Sequence, residues 1–143
     1  MKVRKAGWLV MVGLLVSLLA GCASSVPFQK ANVESGKALV YVFRPNSPLA
    51  RGEMFKLEMN GVMQGMLLNN AYLPLQANPG EVTLTALSNK LVSKPLASLT
   101  LSTQAGGTYY VKAEPGLAWT VKMLQLDEAQ GAQEIGSKFL YQQ

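Results

Sequence analysis

The sequence predicts a mainly β domain, an antiparallel sandwich of about seven to eight strands with one short helix near the C-terminus. Three observations lead there. Apolar and polar residues alternate with period two from Lys37 onward. Gly, Pro and Asn punctuate the alternating runs at short, regular intervals. One stretch alone, residues 127–136, carries the cap, apolar stripe and terminal glycine of a helix.

The strands follow in order. Leu39–Phe43 (LVYVF) is apolar at every position, the pattern of a central strand covered on both faces. Phe55, Leu57 and Met59 alternate with Lys56, Glu58 and Asn60, which marks a strand with one wet face. Asn60-Gly61 then joins two apolar runs, and a type I′ hairpin turn needs positive φ at both of its central residues. Asn78-Pro79-Gly80 is a second turn, leading into Val82, Leu84 and Ala86, which alternate with threonines. Ala97, Leu99 and Leu101 alternate with Ser98, Thr100 and Ser102. Thr108–Ala113 and Leu117–Leu126 complete the set, the latter expected to carry Trp119, Val121 and Met123 on one face. For the helix, Asp127 is the cap with Gln130 at the third helical position. Ala129, Ala132 and Ile135 would form its inner stripe and Gly136 its end, after which Phe139, Leu140 and Tyr141 dock.

The N-terminus has a different character. Lys2, Arg4 and Lys5 precede Trp8–Leu19, a run without charge, and the next charged residue is Lys30. Twelve apolar residues fall short of the roughly 20 that span a bilayer. A basic segment followed by such a run is the pattern of a secretory signal peptide. Leu19-Ala20-Gly21-Cys22 resembles the lipobox of bacterial lipoproteins. The resemblance implies cleavage between Gly21 and Cys22, with S-diacylglycerol and N-acyl groups on Cys22. Acyl chains add about 0.8 kcal/mol per buried CH₂, so several chains anchor where one holds marginally. Ala23 stands where enterobacterial lipoproteins kept in the inner membrane carry Asp, which by analogy points to the inner leaflet of the outer membrane. The expected organisation is therefore a signal peptide over 1–21, a lipidated tether over 22–36 and a β-sandwich domain over 37–143. Val26, Phe28 and Val33 are the tether residues able to pack back on the domain.

Composition excludes much else. The chain of 143 residues has no histidine and one cysteine. No Ser-His-Asp or Cys-His arrangement can form, nor an internal disulfide or a Cys/His zinc site. Loss of residues 1–21 takes three of the 13 basic residues, so the balance against eight acids falls from +5 to +2. The pI of about 9.4 thus belongs largely to the precursor and is no argument for nucleic acid.

Ala38-Leu39-Val40-Tyr41-Val42-Phe43-Arg44-Pro45 resembles the opening strand of the bacterial lipoprotein family catalogued as domain of unknown function 2846. The same resemblance holds for Leu57-Glu58-Met59-Asn60-Gly61, Asn69-Asn70-Ala71-Tyr72, Asn78-Pro79-Gly80 and Ala105-Gly106-Gly107-Thr108-Tyr109-Tyr110-Val111. It covers roughly residues 37–135. Asn60 departs from the Asp expected before the hairpin glycine, and either residue serves that turn. The family brings no assigned activity, so the resemblance implies fold and compartment and no catalytic residue.

The candidate sites weigh as follows. Met54, Met59, Met63 and Met66 include a Met-x-x-Met spacing of soft thioethers, but without His or Cys beside them they read as core filling, and no metal or other cofactor is expected. Glu53, Glu58, Glu81, Glu114 and Glu134 offer no pair that the sequence brings across a cleft. Arg44 and Arg51 bracket the PNSPLA loop and could hold an anion. Arg44, Tyr72, Tyr110 and Trp119 are the candidate pocket for a glycan such as peptidoglycan or another small ligand. Tyr109 and Tyr110 are adjacent on a strand, so at most one of them faces the core. The leading expectation is a non-enzymatic, periplasm-facing lipoprotein, tied to the membrane through Cys22, that binds an envelope protein through an exposed strand edge. The alternative is the glycan or small-ligand binder.

Overall fold

The computed structural model of the chain describes residues 28–90, 94–137 and 140–141. Gly21, Cys22, Val26 and the signal segment lie outside the described residues, as does Phe139. Nine strands are present among the described residues, in two sheets packed face to face. One sheet has the order β8-β7-β1-β4-β9 and the other β3-β2-β5-β6. The strands are β1 (Ala38–Arg44), β2 (Phe55–Met59), β3 (Val62–Leu67), β4 (Ala71–Ala77), β5 (Gly80–Ser88), β6 (Pro95–Thr103), β7 (Thr108–Pro115), β8 (Val121–Leu126) and β9 (Leu140–Tyr141). One helix, α1 (Glu128–Gly136), sits between β8 and β9. The expected sandwich with a single C-terminal helix is present. Pairing is mainly antiparallel, but β1 runs parallel to β7 and β4 parallel to β9.

Strand β1 is buried at all seven positions, as its unbroken apolar run requires. Ala38, Val40 and Val42 face the second sheet and join Leu57, Leu67, Val82, Leu84 and Leu101 in the core between the sheets. Leu39, Tyr41 and Phe43 face the other way, into a second cluster with Tyr72, Tyr110 and Ile135. Both faces of the five-stranded sheet are therefore covered. Tyr109 and Tyr110 point to opposite faces as expected, Tyr109 packing against the inter-sheet core, but Tyr110 faces a second core beneath α1 that the alternation does not reveal.

The outer layer has two parts. Residues 28–36, part of the expected tether, lie against the sheet. Phe28 meets the rings of Tyr41 and Tyr72 edge-on, with centroids 5.4 and 5.2 Å apart. The Ala31 N–H donates to the Tyr41 hydroxyl at 2.7 Å, and the Gln76 side chain both receives from Glu34 N–H and donates to Asn32 C=O. The second part is α1. Asp127 caps it as expected, its carboxylate accepting from Gln130 N–H at 2.9 Å. Its buried residues are Gly131 and Ile135, whereas Ala129 and Ala132 are exposed. The helix presents an i, i+4 pair because it lies directly on Tyr110. A Cβ at Gly131 would fall 2.2 Å from the Tyr110 ring. Lys112 pins the same contact, bridging Glu114 on its own strand and Glu134 on the helix at 2.8 Å each.

Two local readings change, at Leu117–Trp119 and among the methionines, and β4 is a strand that the alternation does not mark. Residues Leu117–Trp119 do not extend β8 but form a tight turn with positive φ at Ala118 and Trp119, and the strand begins at Val121. Strand β4 is present despite Pro74. Among the described residues β9 pairs with Ala71 and Tyr72 and no strand lies beside Pro74 on the outer side of β4, where a missing N–H is tolerated. Core filling describes Met123, which is buried, and Met59, which packs on the core, but Met54 and Met63 are exposed. The Asn60-Gly61 turn is as expected, with φ of 51° and 78°. The Asn60 side chain also accepts from Thr83 N–H at 2.9 Å, an acceptor that Asp would supply equally.

Gly131→Ala is expected to lower stability by about 1–3 kcal/mol through overpacking, although alanine is the better helix former by about 1 kcal/mol. Urea denaturation measures the difference. A second expectation concerns pH. Burial raises the Tyr41 hydroxyl above its ordinary value, against the lowering effect of the Ala31 bond. Burial likewise raises Tyr110, and hydrogen bonds to Glu114 and Glu134 raise Lys112. All three hold their protons more tightly folded than unfolded. Their contribution is complete below the unfolded values of about 10 and is lost as pH climbs through the folded ones. Urea midpoints should thus stay level to about pH 9 and fall above about pH 10, with tyrosinate absorbance rising together with unfolding.

Candidate functional site

The alternation in β1 continues to its last residue. Arg44 falls on the same face as Ala38, Val40 and Val42, and so enters the end of the inter-sheet core. It has no exposed surface. Its guanidinium lies 4.3 Å from the Phe55 ring centroid. Nη1 donates to Glu53 C=O at 2.6 Å and Nη2 to Ala50 C=O at 2.5 Å, which ties down the loop from Pro45 to Met54. Nε has no hydrogen-bond partner. Desolvation lowers the Arg44 pKa from its ordinary value, with the Glu53 carboxylate acting in the opposite sense. Arg44 is thus a plug that shapes its loop, with its guanidinium turned inward.

Above this plug lies a shallow cleft of about 330 Å³ including its open mouth. Its walls come from three connections at one end of the sandwich: the Arg44 loop, the β5–β6 connection and the turn between β7 and β8. Met54, Phe55, Lys90, Leu96 and Trp119 line it. Trp119 is 60% exposed, with the Lys90 ammonium 4.3 Å from its ring centroid, a cation–π contact. Leu117 beside it is 75% exposed.

The backbone here is strained. Among the described residues, five other than glycine have positive φ: Asn60, Asn70, Ala50, Ala118 and Trp119. The two asparagines tolerate the left-handed region, and Asn60 makes the hairpin turn. The other three are costly for their residue types, about 1–3 kcal/mol each; Ala50 and Trp119 line the cleft and Ala118 precedes Trp119 in the turn. Hydrogen bonds hold them there. Gly116 N–H donates to Thr120 C=O, and the Thr120 hydroxyl donates to Leu117 C=O, both at 2.8 Å. Backbone strain is thus spent on presenting Leu117 and Trp119 to solvent.

The four residues expected to line a pocket do not converge. Tyr72 and Tyr110, each 2% exposed, belong to the outer aromatic cluster, where Tyr41 stacks on Tyr110 with centroids 5.4 Å apart. Arg44 lies inside the sandwich end, and of the four only Trp119 faces the cleft. Arg51 is exposed on the same loop. Among the acidic candidates, Glu114 and Glu134 do meet, but both are engaged by Lys112. Among the described residues no group of three or more His, Cys, Asp or Glu could hold a metal ion. The chemistry available in the cleft is apolar contact and cation–π attraction.

A second exposed feature lies at the opposite end. Among the described residues, strand β3 is the last of its sheet and pairs with β2 alone. Its middle leans on β4, where the Leu73 methyls come within 3.5 Å of a Cβ at Gly65. Val62 and Met63, beside the hairpin turn, are 62% and 47% exposed. A bulge at Gln64, between the pairs Glu58–Met63 and Leu57–Gly65, twists this limb of the strand.

The family model described as Protein of unknown function (DUF2846) matches residues 34–122. The chain belongs to this family. The matched stretch of the DUF2846 domain takes in β1–β7, the Arg44 loop and the Trp119 turn, and it stops as β8 begins, before α1. The resemblance read from the sequence extended to residue 135. No curated protein matches the chain.

Arg44→Leu should leave Glu53 C=O without its Arg44 donor and Ala50 C=O with Glu53 N–H alone, at a cost of about 1–3 kcal/mol. Amide hydrogen exchange should accelerate in residues 45–54 more than in β5, whose core contacts remain.

Proposed function

We propose that this DUF2846 protein is a non-enzymatic lipoprotein of the cell envelope, held by acylated Cys22 and facing the periplasm, whose sandwich binds an envelope protein. The observation that carries the reading is the distribution of apolar side chains. The tyrosines and the arginine that could have built a ligand pocket are consumed by the fold. Val62 and Met63 stand out in water on a strand whose outer edge has no hydrogen-bonded neighbour among the described residues. An uncovered edge with apolar side chains is suited to accept an extended segment of another protein. Methionine adapts its shape to such a contact. Anchoring both partners at one membrane would raise their effective concentration and allow a small contact to suffice.

The test is photo-crosslinking in cells, with a photoreactive residue in place of Val62 in the full-length chain. A discrete adduct with one envelope protein is expected, lost when Met63→Lys is added and absent when the photoreactive residue is moved to exposed Ser98 on β6. No adduct from position 62, with retention of the protein on peptidoglycan, would instead favour the glycan-binding alternative. In the same cells Cys22→Ser should leave an uncleaved precursor that labelled palmitate does not mark. Labelling equal to that of the unchanged chain would refute the anchor.

A further inference from the structure

The two ends of the sandwich differ, and the path of the chain distinguishes them. Residues 28–36 run along the outer face of the five-stranded sheet in a definite direction. Phe28 packs beside Tyr72, and Gln29 N–H points to the Tyr72 hydroxyl at 3.5 Å. Ala31 is bonded to Tyr41, then Asn32 and Glu34 to Gln76, and after Gly36 the chain turns back into β1. Tyr72 pairs with Phe43 and Ala71 with Arg44. The described chain therefore starts near the Arg44 end and leaves the hairpin of Asn60-Gly61 at the far end. Five residues lie between Cys22 and Phe28, a stretch that can reach at most about 20 Å.

The Arg44 end is the one that presents apolar groups held by strain. Leu117 and Trp119 stand 75% and 60% exposed, with Leu49 and Met54 at 39% and 36% on the neighbouring loop. Among the described residues, the charged groups of the connections at this end are Arg51, Lys90 and Lys94, all exposed, against the single carboxylate of Glu53. A tryptophan flanked by aliphatic side chains and ringed by cations is the composition that settles at the boundary between headgroups and acyl chains. The cations suit anionic headgroups.

We infer that the Arg44 end of the sandwich is a lipid-docking face, on which Leu117 and Trp119 enter the surface of the membrane that carries the acylated Cys22. The inference rests on the anchor reading above. It gives the domain a fixed orientation: the cleft end lies on the bilayer and the Val62–Met63 limb points into the periplasm. The Lys90–Trp119 contact is kept at the interface, where the ammonium meets headgroup phosphates while the indole lies below it. The short span from Cys22 to Phe28 favours this end over the other.

The mature chain offers its own probe, because Trp8 belongs to the signal segment and Trp119 is then the single tryptophan. The acylated mature protein is reconstituted into vesicles of phosphatidylethanolamine and phosphatidylglycerol, with and without brominated acyl chains. Mass spectrometry of the same sample establishes acylation at Cys22. The expected result is a shift of Trp119 emission to shorter wavelength and its quenching by bromine, both lost in Leu117→Asp, a substitution at an exposed position. Acylated protein whose emission ignores the brominated lipid would overturn the docking face and leave the anchor standing. Equal quenching in Leu117→Asp would also overturn it. A mature chain without acyl mass at Cys22 would remove the anchor and the docking face together.

Discussion

Strand β1 has no face open to water, and the rest of the molecule is arranged around that fact. A sandwich of two sheets covers only one face of each. Here Ala38, Val40 and Val42 are covered by the second sheet, while Leu39, Tyr41 and Phe43 need a cover of their own. The chain supplies it from both of its ends, residues 28–36 before β1 and α1 after β8. Because α1 must lie flush against Tyr110, it has glycine where another helix would have a core side chain. The backbone of residues 29–31 is drawn against Tyr41 and Tyr72, and Ala31 N–H gives the buried Tyr41 hydroxyl a partner.

The same alternation that organises β1 delivers Arg44 to the open end of the core. A guanidinium is among the most expensive groups to bury, and it is retained here with two carbonyl partners and an aromatic face. Those partners belong to a loop of irregular backbone, so the charge fixes the second half of a loop whose first half Asn69 holds through Asn46 and Ser47. The neighbouring turn is fixed differently, by Thr120 closing back on Gly116 and Leu117. Two unrelated devices thus hold strained residues at one end of the sandwich. Strain of this kind persists only where surrounding structure compels it.

On the proposed functional reading, the ends of the molecule divide the work. The end from which the chain leads back towards Cys22 carries tryptophan, leucine and lysine, and the far end carries a bulged strand limb with valine and methionine exposed. The tethered domain would then be oriented rather than loosely suspended, since chain reach and surface chemistry favour the same face. An oriented module presents its protein-binding limb at a defined height above the membrane, which limits the conformational entropy lost on association.

The sequence by itself determined the class of fold, most strand positions, the hairpin at Asn60-Gly61 and the cap at Asp127. Each of these depends on local chemistry: alternation, φ preference, or a side chain bonding a backbone N–H three residues on. It also held the clue to Arg44, whose even-numbered position places it inside, although the loop that receives it is invisible in the pattern. Only the tertiary structure decided that Tyr72 and Tyr110 belong to a second core, because the layer covering them comes from segments distant in sequence. The turn at Leu117–Trp119 was likewise out of reach. Its residues alternate plausibly as a strand, and hydrogen bonds from Thr120 hold the backbone left-handed. Short-range rules locate elements. Which faces are buried, and which apolar residues remain in water, depends on the elements that arrive from elsewhere in the chain.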